Sequence, residues 1–450
     1  MKRRVLVVSA DWVGERMAGP AIRAVNFARE LARRGLEVTL ATPNEVEVPI
    51  EGIRAIRLQG MDARGTVALA RQHDTVVAQS LPVSAMVSLA GTPTRIVYDL
   101  YDPVPHELLA AAHGRPRRAQ DDLLLTRVRL TLDTALRAGD AFICASERQR
   151  DLWLGALGAQ GRLDHEEHRR DPSFRQLIDV VPFGIEVEPP RRDGPVLRGV
   201  LPGVDERSRV LVWGGGLWNW LDPLTVIRAV HELSRRRKDV RVVFLGLRRP
   251  NSRVAETTMA ERAVSLAHEL GMHGSSVLFN EEWVPYERRG AWLAEADVGV
   301  SAHFDTLEAR FAFRTRLLDY LWAGLPIVTT RGDVLGDLVE QERLGVSLPA
   351  EDVAAWVAGL ESLLDDDQSR RAACERVAAV RQRFGWPRVV EPLARLVTEP
   401  GRPIEHARRS RLVGVREGYL SARISVLERG VGATLAAVWQ QRVRRVTRLR

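Results

Sequence analysis

The sequence has few of the features that mark secreted, metal-binding or membrane-spanning proteins. Its 450 residues include only two cysteines, Cys144 and Cys374, whose separation fits neither a disulfide framework nor a zinc site. The apolar run near the N-terminus ends before Asp11 and is too short for a secretory signal. No stretch of sequence reaches the roughly 20 apolar residues that span a bilayer. We therefore expect a folded, cytoplasmic protein.

Basic residues are concentrated at the C-terminal end of the chain. The net charge is +8, and residues 401–450 alone contain twelve arginines, no lysine and three glutamates, so residues 1–400 are close to neutral. This distribution argues against a globular domain that reads nucleic acid. In the basic tail the arginines alternate with Leu, Val and Trp at partly helical spacing, which favours peripheral contact with an anionic membrane or docking on a partner. The alternative is a disordered, solvated extension.

Short apolar runs that alternate with amphipathic segments predict an α/β fold. Residues 4–9 are expected to form a strand buried on both faces, followed by a glycine-bearing loop. The pattern from Pro20 to Gly35 is typical of an amphipathic helix, and residues 38–42 form the next strand, so this unit predicts a right-handed crossover. Further strands are predicted over residues 75–80, 95–100, 141–146 and 179–184.

The same pattern starts again after residues 185–196, a segment rich in proline, glycine and charge that we interpret as a domain boundary. The first strand of the second unit is predicted over residues 209–216. The sequence thus predicts two Rossmann-like parallel-sheet domains facing across a cleft, because such sheets bind ligands beyond the carboxyl ends of their strands. The two domains are placed at residues 1–190 and 196–384, followed by residues 385–400 and the basic tail 401–450.

The segment over residues 303–333 carries the clearest chemistry. It predicts a loop that brings Arg314, Thr315 and Arg316 to the start of a helix, with Asp319 one turn later. Free backbone N–H groups and guanidinium groups at a helix start suit a diphosphate, and Asp319 suits the hydroxyls of a ribose. The alternative is that the arginines are solvated and that Asp319 pairs with Arg316.

A glycine-rich turn, WGGGLWNWLDP, covers residues 213–223 at the end of the first strand of the second domain. Gly214, Gly215 and Gly216 leave room for backbone N–H groups to approach a pyrophosphate closely. Trp218 and Trp220 are expected either to line a sugar pocket or to belong to the core.

The segment LLDYLWAGLPIV, residues 317–328, resembles the donor-site signature of the family-4 retaining glycosyltransferases of the GT-B fold. In that family, two glutamates separated by seven residues precede a helix and a Gly-x-Pro-Val-Val-like strand. Asp319 stands at the position of the second, ribose-binding acid, and Phe311 occupies the position of the first. Glu308, three residues earlier, is a candidate to replace the first acid.

The resemblance also assigns roles to other residues of the second domain. It implies that Gly214, Gly215 and Gly216 face the phosphates of a nucleotide-sugar donor and that Trp218 lies at the same site. The family's usual lysine after this turn is missing, so Arg249, Arg314 or Arg316 would supply positive charge. Near the end of the domain, the resemblance places Gly332 and Asp333 close to the sugar.

In the first domain, the resemblance implies an acceptor side. Gly19 matches the glycine loop that precedes the first helix of the family. Asp99 and Asp102, just after a predicted strand, are candidates for the catalytic acid that points at the sugar or acceptor hydroxyl, with Tyr101 and Glu107 behind them. The alternative is that these polar residues cap the following helix. Residues 385–400 would form the helix that crosses back to this domain.

The resemblance implies sugar transfer with retention of configuration, in which the leaving diphosphate helps to deprotonate the acceptor. Arg314 and Arg316 would stabilise the charge on that diphosphate, and no metal or other cofactor is required. The expected partners are a nucleotide-diphosphate sugar and a glycan, lipid-linked or small-molecule acceptor, with no nucleic acid. Two alternatives are an epimerase or hydrolase on the same fold, and a non-catalytic binder or scaffold of a polysaccharide pathway. A nicotinamide dehydrogenase is disfavoured because the first strand lacks a following GxGxxG.

Overall fold

The computed structural model describes residues 2–15, 17–46, 49–58, 62–90, 92–112, 116, 118–191, 194–247, 258–282 and 284–399. The expectations for Arg249 and for the basic tail 401–450 lie outside these residues. Among the helices of the described part, none is both long and apolar enough to cross a membrane.

The first domain is built on a parallel sheet of seven strands in the order β3-β2-β1-β4-β5-β6-β7. Its central strands are apolar on both faces because helices cover both sides: Val5 and Val7 face one core cluster and Leu6 faces another. The strands are β1 Arg4–Val8, β2 Glu37–Thr42, β3 Arg54–Arg57, β4 Thr75–Ala78, β5 Arg95–Asp99, β6 Ala141–Cys144 and β7 Ile178–Val180. The helices are α1 Gly19–Arg33, α2 Ala63–Ala70, α3 Val83–Leu89, α4 Val104–Ala111, α5 Ala119–Ala138, α6 Glu147–Ala159 and α7 His165–Arg170.

The second domain is built on a parallel sheet of six strands in the order β10-β9-β8-β11-β12-β13. The strands are β8 Arg209–Gly216, β9 Val240–Gly246, β10 Val277–Phe279, β11 Val298–Ser301, β12 Ile327–Thr330 and β13 Gly345–Leu348. The helices are α8 Pro223–Ser234, α9 Thr258–Glu269, α10 Arg289–Ala294, α11 Leu307–Phe311, α12 Thr315–Ala323, α13 Val334–Gln341, α14 Val353–Leu364 and α15 Asp367–Arg381. Short 3-10 turns cover Tyr286–Arg288 and Gln382–Phe384.

The last described helices pack on the first domain. They are α16 Trp386–Val389 and α17 Glu391–Thr398. The Thr75 hydroxyl at the start of β4 donates to the Val397 carbonyl over 3.1 Å, and Arg395 pairs with Asp179 of β7 at 3.1 Å. The Trp386 ring meets Phe27 of α1 edge-on, with the ring centroids 6.2 Å apart. These contacts tie the end of the described chain to the first sheet.

The predicted fold class, two parallel-sheet α/β domains, is confirmed. The structure adds two edge strands that the apolar runs did not indicate. β3 has the sequence RAIR and is largely exposed, so its sequence contains no apolar run that would predict a strand. β13 follows α13 within residues 329–352, a stretch that the resemblance treats as a donor-side loop.

Candidate active site

A cleft of about 1030 Å³, counted with the space open to solvent, lies between the two domains at the carboxyl ends of their central strands. It combines backbone-rich segments, aromatic rings and two arginines. Its lining residues are 17–19, Ile22 and 183–185 on one side, and 214–216, Trp218, 245–246, Val284, Tyr286, Arg289, Leu293, Thr315, Arg316, Leu318 and Asp319 on the other. Many of the residues predicted to bind a donor therefore share one cavity.

The glycine turn at the end of β8 forms one wall of this cleft. Gly215 has φ +81°, a left-handed conformation in which a side chain is strained. The Gly214 N–H donates to the Tyr320 hydroxyl over 2.8 Å, and a Cβ on Gly214 would lie 3.3 Å from the same ring. A Cβ on Gly216 would lie 3.1 Å from Trp218, whose ring stacks on Trp220. The turn thus needs small residues because side chains pack tightly behind it.

Arg316, in the first turn of α12, reaches the glycine turn. Its Nη2 donates to the Gly216 carbonyl over 3.0 Å, and its guanidinium lies 4.8 Å from the centre of the Trp213 ring. Its Nη1 is buried and has no hydrogen-bond partner among the described residues. Burial lowers the pKa of Arg316 to about 10, so the side chain stays cationic at neutral pH. The cleft therefore holds a buried positive charge with an unused donor, beside Thr315 at the helix start.

Asp319 lies on the cleft and pairs with Arg289, not with Arg316. The Arg289 Nε donates to the Asp319 Oδ1 over 3.0 Å. The Asp319 side chain is 30% exposed, which leaves it accessible from the cavity. The interpretation in which Asp319 serves only to neutralise Arg316 is wrong.

Arg314 points away from the cleft, into an interdomain group of charged residues. Its Nη2 donates to the Glu308 Oε2 over 2.6 Å, and its Nε lies 3.7 Å from the Asp333 Oδ2. Asp333 caps α13 by accepting from the Gly336 N–H over 2.6 Å, and His303 lies 3.3 Å from the same carboxylate. Burial raises the pKa of Asp333, but His303, Arg314 and the Gly336 N–H together hold it below its usual value.

The first domain completes this group with two carboxyls, Asp102 and Glu107. Burial raises the pKa of Asp102 to about 7, against a hydrogen bond from the Tyr101 hydroxyl that lowers it and a repulsion from Asp99 that raises it further. Burial and the charges of Asp102 and Glu308 likewise raise the pKa of Glu107. We call Asp102, Glu107, His303, Glu308, Arg314 and Asp333 the inner cluster.

Asp99 has a different environment from Asp102. Arg23, which is fully buried, donates to both of its carboxylate oxygens, from Nε over 2.6 Å and from Nη2 over 3.0 Å. Arg23 also donates to the Val181 carbonyl over 2.8 Å and to the Pro182 carbonyl over 3.0 Å. The structure thus places Asp99 in a buried pair that joins β5, α1 and the end of β7, away from the cleft lining.

The remaining predicted residues are divided between the cleft and the inner cluster. Gly19 lines the cleft, and a Cβ there would lie 3.3 Å from the Tyr101 hydroxyl. Gly332 lines a second cavity with His303 and Arg148. The Gly332 carbonyl accepts from the Arg148 Nη1 of α6 over 2.8 Å, and Arg148 also pairs with Asp337. Gly332 and Asp333 therefore lie by the inner cluster and not by the glycine turn.

The sequence of residues 208–366 matches the family described as "Glycosyl transferases group 1". The chain is 29% identical over 227 residues to the D-inositol 3-phosphate glycosyltransferase of Corynebacterium jeikeium, covering 49% of this chain and 52% of that protein. It is 25% identical over 411 residues to the protein of that name from Corynebacterium diphtheriae, covering 83% and 88%. The first of these alignments thus spans about half the length of its relative. The match to the group 1 glycosyltransferases thus covers the greater part of the second domain.

Solved structures agree with this group 1 assignment at the level of the fold. Sucrose-phosphate synthase from Thermosynechococcus elongatus superposes with a TM-score of 0.62 at 15% identity, covering 88% of this chain and 98% of that one. Anabaena HepE in complex with UDP-glucose superposes with a TM-score of 0.60 at 14% identity, covering 88% and 99%. The two-domain arrangement of the chain is the GT-B fold.

Three side chains that organise the site could not be found from the sequence pattern. Arg289 holds Asp319, and Arg23 holds Asp99. Gln149 of α6 is buried and donates to the Tyr101 carbonyl over 2.7 Å and to the Phe311 carbonyl over 2.9 Å, so it links the two domains beside the inner cluster. Each acts through a contact distant in sequence, and no local pattern marks it.

Proposed function

We propose that this chain transfers a sugar from a nucleoside diphosphate sugar, held mainly by the second domain, to an acceptor that enters from the first domain. The observation that carries the proposal is the convergence of the glycine turn, the start of α12 with Arg316, and Asp319 on one interdomain cleft. Backbone N–H groups, a helix N-terminus and a guanidinium are the groups that bind a diphosphate, and a carboxylate suits a ribose. The match of residues 208–366 to a glycosyltransferase family supports the same activity.

The proposed mechanism needs mainly electrostatic help from the protein. As the bond between the sugar and the diphosphate breaks, negative charge grows on the leaving phosphate, and Arg316 with its buried, unpaired Nη1 stabilises that charge. Arg314 contributes by fixing the loop before α12 through Glu308. Retention of configuration and independence of a metal ion belong to this proposal and rest on the family resemblance.

The inner cluster is the proposed location of the reacting sugar and acceptor hydroxyl. Asp102 is our candidate to contact these hydroxyls, because it lies next to Glu308 and carries a pKa near 7. Glu308 is the candidate to replace the family's first acid, because the Phe311 side chain at that position is apolar. Phe311 accepts a hydrogen bond only through its backbone carbonyl, from Gln149. The proposed acceptor is a glycan, a lipid-linked glycan or a small molecule. For a lipid-linked acceptor, residues 401–450 are proposed to contact an anionic membrane surface on the cytoplasmic side.

A second candidate is a non-catalytic nucleotide-sugar binder or an epimerase of the same fold. The observation that favours it is Phe311 at the position of the first family acid. A transferase consumes the nucleotide sugar only when an acceptor is present, whereas an epimerase or hydrolase consumes it alone and a binder does not consume it.

The test begins with thermal-shift measurements on UDP, GDP, ADP, dTDP and their sugars, followed by product analysis with mixed glycan and polyol acceptors. We expect one nucleoside diphosphate to raise the melting temperature, and Arg316→Ala to abolish that rise. Arg310→Ala is the matched control, because Arg310 is exposed on the preceding helix. A full shift in the Arg316→Ala variant would contradict the proposed donor site.

A further inference from the structure

The inner cluster contains four carboxyls and at most two cations. Arg314 pairs with Glu308 at 2.6 Å. His303 lies 3.3 Å from Asp333, and its ring neutralises that carboxylate when it is protonated. Even with both cations counted, the two carboxyls that the first domain contributes are left without a positive partner. Two unmatched carboxyls in a partly buried site are unfavourable unless they bind protons or a ligand supplies the missing charge.

These two carboxyls are Asp102, which follows β5, and Glu107, in the first turn of α4. Neither forms an ion pair with a described residue, because the nearby arginines are bound elsewhere. Arg23 gives its donors to Asp99 and to two backbone carbonyls. Burial lowers the pKa of His106, so this ring adds no charge at neutral pH. Both carboxyls are half-buried, which leaves them open to a ligand.

Glu308 brings an unused acceptor to the same place. Its side chain is 1% exposed, and its Oε2 accepts from Arg314. Its Oε1 is buried and has no hydrogen-bond partner among the described residues. The negative charge of Glu308 raises the pKa of both Asp102 and Glu107, which shows that the three carboxyls lie near one another. A buried carboxylate oxygen without a donor is rare in folded proteins, so this oxygen points to a ligand that donates hydrogen bonds.

We propose that the inner cluster binds the protonated amine of an amino sugar, held by Asp102 and Glu107 from the first domain and by Glu308 from the second. An ammonium group has three N–H donors and no acceptor, and it supplies the missing positive charge. Its hydrogen bonds of about 2.7–2.9 Å are longer than the bonds of about 2.0–2.6 Å between metal ions and oxygen. An ammonium therefore suits carboxyls that are not close enough to hold a metal ion, as is the case among the described residues.

The inference rests on the proposed function and narrows the class of its substrates. The amine belongs either to the acceptor or to the transferred sugar, because the proposed transfer brings both to the inner cluster. In both cases the amine serves as a binding group and is not itself glycosylated.

The experiment measures dissociation constants by calorimetry at pH 7, with and without the nucleoside diphosphate that raises the melting temperature. The acceptor arm compares free glucosamine, galactosamine and mannosamine with their neutral parent sugars. It also includes the N-acetyl derivatives, which keep the ring but lack a charged amine. The donor arm compares the glucosamine, glucose and N-acetylglucosamine forms of the preferred nucleotide sugar.

The variants are Asp102→Asn, Glu107→Gln and Glu308→Gln, each of which removes one carboxylate from the cluster. Asp305→Asn is the matched control, because Asp305 is an exposed acid on the loop before α11. Melting temperatures show which variants are folded. Glu107→Gln decides the result if Glu308→Gln, which leaves Arg314 without its partner, does not fold.

We expect at least one amino sugar, free or on the nucleotide, to bind about 10-fold or more tightly than its neutral parent and its N-acetyl form. The full chain and Asp305→Asn should both show this preference. Asp102→Asn and Glu107→Gln should lose most of it while keeping their affinity for the neutral sugar and for the nucleoside diphosphate. A merely structural role of these carboxyls would weaken amino and neutral sugars together, and that result would overturn the inference.

The remaining outcomes separate this inference from the proposed function. If no amino sugar binds more tightly than its neutral parent in either arm, the inference fails while binding of the nucleoside diphosphate stands. If the chain binds no nucleoside diphosphate, the proposed donor site fails, and the free amino sugars still decide the inference. If Asp305→Asn loses the preference as fully as Glu107→Gln, the amine responds only to the general negative charge of this region, and the inference is overturned. A preference confined to one arm supports the inference and assigns the amine to the acceptor or to the transferred sugar.

Discussion

The cleft and the inner cluster both include an arginine from the start of α12, but they differ in charge and in partners. The cleft holds Arg289 and Arg316 against one carboxylate, Asp319. The inner cluster holds four carboxyls against Arg314 and His303, and two of those carboxyls have raised pKa values. These charges suit the first region to the proposed binding of an anion, and the second to the proposed contact with hydroxyls.

Two arginines that are two residues apart enter these two regions because of the local backbone. Arg314 is the residue before the helix and has ψ +84°, outside the helical range, whereas Arg316 lies within the helix. Their side chains therefore leave the chain in different directions. Arg314 becomes buried against Glu308 and Asp333, and Arg316 keeps an unpaired donor beside the glycine turn.

The scarcity of lysine sharpens this contrast. The whole chain contains two lysines, Lys2 and Lys238, and 64 arginines. The chain lacks the lysine that the family it resembles places after its glycine turn, and we propose that arginines supply the positive charge instead. A guanidinium can bind phosphate oxygens through two parallel hydrogen bonds and can stack on aromatic rings. Arg316 over Trp213 and Arg289 over Tyr286 both use such stacking.

The largest expected effect is a difference in the free energy of unfolding between the Arg314→Ala and Arg316→Ala variants. Arg314→Ala leaves Glu308 and Asp333 buried without their cation, so we expect the free energy of unfolding to fall by about 3–5 kcal/mol. Urea denaturation of the unliganded protein measures this. Arg316→Ala removes one hydrogen bond to Gly216 and the contact with the Trp213 ring, and should cost about 1–2.5 kcal/mol in the same assay.

Replacing both partners tests the reason for that loss. In Arg314→Met with Glu308→Gln, fewer unpaired charges remain in the buried site, and part of the lost stability should return. Exposed Arg310→Ala should change the unfolding free energy by less than about 0.5 kcal/mol. Equal losses for Arg314→Ala and Arg316→Ala would show that the two regions do not differ as described.

A smaller effect concerns the proton held by Asp102. Its pKa is raised to about 7 in the folded protein, so the folded state disfavours the ionised carboxyl. The protein should be most stable below the ordinary aspartate range near pH 4, as far as this group is concerned, and lose stability as the pH rises through 7. A shift of about three pKa units corresponds to roughly 4 kcal/mol, and the partial solvent exposure of Asp102 reduces the expected loss to about 1–3 kcal/mol.

Unfolding free energies of the native protein and Asp102→Asn, measured from pH 4 to 8, check this slope. Asp102→Asn should reduce it, while Asp305→Asn, a residue outside the inner cluster, should leave it in place. A slope that is unchanged in Asp102→Asn would assign the titration to Glu107 instead, whose pKa is raised by burial, Asp102 and Glu308.

The sheets and several of the segments that line the cleft could be predicted from sequence because both depend on local signals. Buried strands appear as apolar runs, and the glycine turn and the start of α12 are contiguous segments. The pairs Arg289–Asp319, Arg23–Asp99 and Arg314–Glu308 could not be predicted. Arg23 and Arg289 meet their partners only when helices from distant parts of the chain pack together, and a pattern of residue types contains no information on that register.

The smallest expected effect concerns the glycine turn itself. Gly215 has φ +81° and open space around the place of a Cβ, so Gly215→Ala should cost only backbone strain, about 1–2 kcal/mol of unfolding free energy. Gly155→Ala is the matched control: it lies inside α6, has equal space, and should be neutral or slightly stabilising. Denaturation and calorimetry with the preferred nucleoside diphosphate measure both variants.

The nucleotide affinity of Gly215→Ala then shows whether the diphosphate depends on the backbone of the turn or on the guanidinium of Arg316. If the backbone N–H groups of the turn contact the phosphates, the strained turn shifts them and the affinity falls several-fold beyond that of Gly155→Ala. If the affinity is unchanged while Arg316→Ala abolishes binding, the diphosphate depends on the guanidinium and on the start of α12. The contrast between the two regions would then rest on the side chains of α12, with the turn serving only to leave room for them.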